Sequence, residues 1–193
     1  MDKLIEIFGL VTGLLYLWYE IKHSNKMWYV GIVVAIVYAY LFAKSHLYAS
    51  MSYQIYYLVM SVYGIYKWKR DATAISSSDG IIINRMRALP AVISSVLAFG
   101  VFLLVYFGLS DYTNAEQPLL DALVTSLSLL ATYWLGNSWI GQWWVWVLIN
   151  ILSVIMFWRQ NLYPTAFLYA FYGVSAVYGY YYWRKEGLYG NNL

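Results

Sequence analysis

The chain has 193 residues, of which 62% are apolar and only 11% charged. A soluble domain carries about a quarter charged residues, so there is too little polar surface here to cover a water-soluble globule, and the composition indicates an integral membrane protein. A disulfide scaffold is excluded by the absence of Cys, and a nucleic-acid surface by a net charge of only +3 scattered over short loops.

The opening residues, Met1-Asp2-Lys3-Leu4-Ile5-Glu6, lack a basic start and a small-residue cleavage site, and are expected to belong to a retained helix rather than a signal peptide. A membrane-spanning helix needs about 20 mostly apolar residues. Seven segments meet or approach that length: residues 4–21, 27–43, 47–68, 89–109, 119–136, 143–158 and 162–183. Polar interruptions between them are short except for 69–88, which carries Ser76-Ser77-Ser78-Asp79-Gly80. Pro90 and Pro118 stand where helices begin, the position proline tolerates best. Barrel strands would be half as long and would alternate apolar with polar residues. The expected fold class is therefore an all-α integral membrane protein with seven transmembrane helices.

Basic residues set the expected orientation. Lys22, Lys26, Lys67, Lys69, Arg70, Arg85, Arg87, Arg184 and Lys185 share one side, leaving Lys3, Lys44 and Arg159 on the other. By the positive-inside rule the N-terminus is outside and the C-terminus is cytoplasmic.

Sliding the sequence along itself reveals a match at an offset of 115 residues without a gap. Leu47-Tyr48 meets Leu162-Tyr163, Tyr57 meets Tyr172, and Val62-Tyr63-Gly64 meets Val177-Tyr178-Gly179. Tyr66 and Trp68 meet Tyr181 and Trp183, while Trp28, Phe42 and Lys44 meet Trp143, Phe157 and Arg159. The segments 4–68 and 119–183 thus read as two copies of a three-helix unit, joined by a cytoplasmic loop (69–88) and a linker helix (89–109). One extra span makes the copies parallel, a 3+1+3 plan. Duplication can simply build a bundle; in alternating-access transporters it also frames a substrate site near the midplane.

Polar groups at membrane depth mark interior faces. Trp143, Trp146 and Asn150 lie at i, i+3 and i+7 on one face of the sixth segment. Their indoles could stack on a flat cationic ring and the amide could both donate and accept; Trp143 could equally be an interfacial anchor. Gln54, Tyr57 and Ser61 repeat that spacing on the third segment, where an interhelical hydrogen bond is the alternative use. On the seventh, Tyr169 and Tyr172 complete the candidate substrate-binding set. Glu20 is expected to snorkel towards Lys22. His23 and His46 read as loop surface, with a proton relay as the one functional alternative. There is no phosphate-binding loop, no HExxH and no metal-ligand cluster in the sequence. No catalytic residues, metal, cofactor or ATP hydrolysis are expected, and no intramembrane acid suggests ion coupling.

The string Trp143-x-x-Trp146-x-x-x-Asn150-Ile151-Leu152-Ser153 resembles the signature of the PnuC family of bacterial vitamin transporters. Leu47-Tyr48-Ala49-Ser50, Gln54, Tyr63-Gly64-x-Tyr66-x-Trp68 and Gly13-Leu14-Leu15 are similar to its first half. The resemblance implies a seven-helix SWEET-like fold in the bacterial inner membrane, possession of a vitamin site, a homotrimer, and facilitated diffusion with trapping by a cytoplasmic vitamin kinase. Nicotinamide riboside is the implied substrate. Thiamine is the alternative, because Trp18-Tyr19-Glu20 is similar to thiamine-type members and Ser61 and Tyr178 stand where riboside-type members often carry Asn. A non-transport scaffold would need no such polar interior.

Overall fold

The computed structural model describes residues 2–44, 48–74, 81–113 and 116–190. Seven α-helices form among them: α1 (Asp2–Ile21), α2 (Lys26–Lys44), α3 (Tyr48–Ala74), α4 (Ala88–Tyr112), α5 (Pro118–Gly136), α6 (Gln142–Arg159) and α7 (Tyr163–Glu186). All seven expected segments coincide with these helices to within two residues at the N-terminal side, and Pro90, Pro118 and Pro164 each fall in a first turn, where a missing N–H costs nothing. By length and composition α2, α4, α5 and α6 can cross a membrane, and α1 holds a shorter apolar stretch, Ile7–Ile21. Helices α3 and α7 are longer, at 27 and 24 residues, but their many tyrosines make them less apolar.

Two features depart from a purely helical reading. Helix α3 runs on to Ala74, into the stretch expected to be loop. Beyond it, β1 (Ile81–Asn84) pairs with β2 (Gly187–Gly190) in a two-stranded sheet. Three consecutive β-branched residues favour an extended chain, and Ile81, Ile82 and Ile83 are all buried. The serine run at 76–78 and His46 lie outside the described residues.

The contacts divide the chain into two compact units. The first comprises the chain through Ile83 with Gly136–Ser138 and Glu186–Tyr189; the second comprises Asn84–Leu135 and Trp139–Lys185. In the first, α2 packs on α3 and α1. In the second, the Trp134 indole donates to Ser94 Oγ (3.1 Å), tying α5 to α4. Buried Ser126, Ser128 and Thr132 satisfy their hydroxyls on carbonyls of their own helix α5, three or four residues back.

The same local architecture recurs in the chain at positions 115 apart. Helix α1 ends in a left-handed residue, His23 (φ 50°), and α5 is followed by another, Ser138 (φ 56°). The next amide in each turn bonds five residues back, Ser24 to Tyr19 (2.9 Å) and Trp139 to Trp134 (3.0 Å), as a Schellman closure requires. Trp28 is fully buried at the start of α2 and Trp143 at the start of α6. Each meets a second tryptophan edge-on, Trp68 at 5.3 Å and Trp183 at 5.4 Å. Each also lies flat over a glycine of the partner helix, Gly64 on α3 and Gly179 on α7, so closely that a Cβ there would enter the indole.

The turn after α1 corrects two expectations. His23 is not on the surface: its ring stacks on Trp68 (3.8 Å, 9°) and its Nε2 is hydrogen-bonded with Ser138 Oγ at 3.0 Å. Desolvation pushes its pKa from 6.5 down to about 3, so the ring is neutral near pH 7 and unsuited to relaying protons there. Glu20 does not snorkel either; it is only 4% exposed. Lys22 instead extends over the exposed ring of Trp18, and residues two apart on a helix point to nearly opposite sides.

The glycine contacts predict the cost of adding a methyl group. Gly64→Ala and Gly179→Ala should each destabilise the chain by about 1–3 kcal/mol through overpacking. Gly100→Ala on α4, where a Cβ meets nothing within 4 Å, should be neutral or slightly stabilising. Thermal unfolding in detergent measures all three, and equal melting temperatures would remove the glycine wedge from the account.

Candidate functional site

Helix α6 carries a polar buried face. Gln142, Trp146, Asn150 and Ser153 recur at i, i+4, i+8 and i+11, which at 3.6 residues per turn is one side of the helix. Gln142 and Ser153 are 0% exposed and Asn150 is 6% exposed. The Asn150 amide donates to its own helix at the Trp146 carbonyl (2.8 Å). The Gln142 Nε2 and Oε1, the Trp146 Nε1 and the Ser153 Oγ have no protein hydrogen-bond partner although all are buried. Unmet polar groups at membrane depth are expensive. A face that keeps several of them can meet a polar guest.

Helix α7 approaches this face through a small residue. A Cβ on Gly173 would touch Asn150 Cβ at 3.4 Å. Tyr169 stacks on Phe157 of α6 (5.1 Å, 26°) and meets Tyr172 edge-on (5.9 Å). Trp146, Asn150, Tyr169 and Tyr172 thus belong to the paired helices α6 and α7.

Trp143 is used differently from its neighbours. Its ring is 1% exposed and fills the space between Gly179 and Trp183, so the observed role is helix packing. Trp144 is 51% exposed and packs beside Tyr180, one step around the helix.

The remaining candidates belong to the first unit. Gln54 and Tyr57 are half-buried on α3, and the Tyr57 hydroxyl is 3.0 Å from that of Tyr53. Ser61 is buried, with its Oγ facing Gly31 of α2. Among the described residues no group of three or more His, Cys, Asp or Glu could hold a metal ion. What the α6 face can do chemically is bind: stack a ring on Trp146 and exchange hydrogen bonds with amide and hydroxyl groups.

Gln142 was not among the residues singled out from sequence. A polar residue at the edge of an apolar run reads as loop, yet it begins α6. Its four-residue spacing from Trp146 was the signal that could have found it.

The profile of the nicotinamide mononucleotide transporter family matches residues 3–185. The nicotinamide riboside transporter PnuC of Escherichia coli is 24% identical over 190 residues, covering 86% of this chain and 78% of that protein. Its namesake in Haemophilus influenzae is 24% identical over 188 residues, covering 95% of this chain and 80% of the relative. The crystal structure of the vitamin B3 transporter PnuC matches with a TM-score of 0.65 at 20% identity, over 92% of this chain and 79% of the other.

If the α6 face stacks a cationic ring, Trp146→Ala should weaken binding of pyridinium or thiazolium vitamins by about 1–2 kcal/mol, roughly five- to thirtyfold. Asn150→Leu should cost about as much, by leaving a ligand group unmatched. Trp144→Phe, on the exposed side, should be nearly neutral. Calorimetric titration of monodisperse variants checks this, and unchanged affinity in the first two would remove α6 from the site.

Proposed function

Because the chain belongs to the nicotinamide mononucleotide transporter family, we propose that it carries nicotinamide riboside across the bacterial cytoplasmic membrane by facilitated diffusion. The observation that carries this reading is the buried polar face of α6, with Trp146 placed to stack a pyridinium and Asn150 to meet a ribose or an amide. The family is one of transporters, so the protein is read as a carrier and not an enzyme.

The frame we propose is 3+1+3, with helices α1–α3 and α5–α7 as parallel repeats and α4 as the linking span. The paired turns, tryptophans and glycines at an offset of 115 support it. We assign the N-terminus to the outside and the C-terminus to the cytoplasm on the distribution of basic residues. The resemblance extends to a homotrimer, and the apolar length of α4, which has no buried residue, offers surface for lipid or for neighbouring copies.

A carrier without an energy source moves its substrate only down a gradient. Phosphorylation by a cytoplasmic kinase would remove the free riboside and keep that gradient inward. Thiamine is the second reading: its thiazolium offers the same positive aromatic face, and Ser61 is a short hydroxyl rather than an amide at its position.

Purified chain in empty liposomes should equilibrate labelled nicotinamide riboside to the external concentration without a proton or sodium gradient, with saturable kinetics. Accumulation above that concentration under an ion gradient would refute facilitated diffusion. Saturable entry of thiamine but not of the riboside would move the substrate to the second reading.

A further inference from the structure

The fold does not need the polar character of the α6 face. Position by position, 115 residues earlier, α2 presents Met27, Gly31 and Ala35 where α6 presents Gln142, Trp146 and Asn150. Met27 is 0% exposed, as Gln142 is, and Ala35 is 2% exposed. The local frame around the two sites is the same. Met27 N donates to Ser24 O (2.9 Å) as Gln142 N donates to Trp139 O (3.1 Å), and the next residue in each is the tryptophan that lies over a glycine. An unbranched apolar chain of similar volume therefore fills this packing position.

Gln142 keeps an amide there with neither Nε2 nor Oε1 bonded to protein. Burying such a group unmet is destabilising, so its retention calls for a partner that comes and goes. Along the helix Gln142 stands one turn, about 6 Å, from Trp146 and about 12 Å from Asn150. A flat ring on Trp146 would have one edge towards Gln142 and its substituent towards Asn150.

We propose that Gln142 is a specificity-determining substrate contact whose amide pairs reciprocally with a ligand edge carrying an N–H donor beside an acceptor. A carboxamide on a pyridinium ring has that edge, and so does an aminopyrimidine. This rests on the transport reading of the α6 face and extends it: the residue selects an amide over a carboxylate, because Oε1 needs a donor and a carboxylate has none.

Transport by the full chain in liposomes tests this with nicotinamide riboside, its carboxylate analogue nicotinic acid riboside, and thiamine as probes. The wild type should prefer the amide riboside to the carboxylate. Gln142→Met should lose about tenfold in apparent affinity for the amide riboside, lose most of that preference, and melt no lower than wild type. Gln142→Glu, which keeps shape but presents acceptors alone, should still accept from the amide N–H and repel the carboxylate, raising the preference for the amide riboside, and keeps the test open if the Met variant does not fold. Wild-type affinity and preference in these variants would overturn the proposal, as would an equal loss for both ribosides together with a fall in melting temperature. Failure of the wild type to carry either riboside or thiamine would instead refute the transport reading on which the proposal stands, and with it the proposal.

Discussion

Inside a bilayer, helices gain nothing from the hydrophobic effect by touching, since lipid is as apolar as leucine; close packing and shared polar groups must hold them together. The indole lying over a glycine supplies the close packing in both units. Trp28 reaches Gly64 and Trp143 reaches Gly179 only because those glycines lack a Cβ. A second indole, Trp68 or Trp183, then closes each contact edge-on, the arrangement that aromatic quadrupoles favour. The left-handed turns at His23 and Ser138 feed α2 and α6 into these contacts.

Once that frame is in place, the two units are free to differ where packing does not decide. On α2 the face leading away from the buried tryptophan is Met27, Gly31 and Ala35, while on α6 it is Gln142, Trp146 and Asn150. Equivalent backbone with unequal chemistry separates stability from function. The tryptophan shared by both units, Trp143, packs. The residues found on α6 alone include Gln142 and Trp146, whose side-chain polar atoms have no protein partner. Gly173 lets α7 come close to Asn150, and Tyr169 and Tyr172 lie on the same helix.

Much of the helical fold was legible in the sequence because the membrane imposes one dominant signal, the length of an apolar run. The spans came from that signal, and Pro90 and Pro118 marked two helix starts. Local charge and polarity were less reliable guides. Glu20 looks like a snorkelling helix end and His23 like a solvated loop residue, yet the burial of Glu20 and the packing of His23 against Trp68 and Ser138 are tertiary outcomes that no local pattern announces. The β1–β2 pair joins segments more than a hundred residues apart in the chain, and its short strands carry little periodicity. Gln142 was missed for a related reason: hydropathy trims polar residues from helix ends, although a buried helix end is where a polar residue says most. Trp143 and Trp146 share a spacing that could not reveal which of them meets a glycine. For the substrate the sequence narrows the chemistry to flat, positively charged rings without choosing among them.

The proposed recognition turns on a vitamin ring meeting an indole in the interior of the chain. Titration of the purified wild-type chain with nicotinamide riboside and with thiamine, followed by intrinsic tryptophan fluorescence, reads that event directly. Saturable quenching is expected, with nicotinamide riboside acting at lower concentration than thiamine. An unchanging spectrum with both vitamins, in protein that remains monodisperse and folded, would contradict the account.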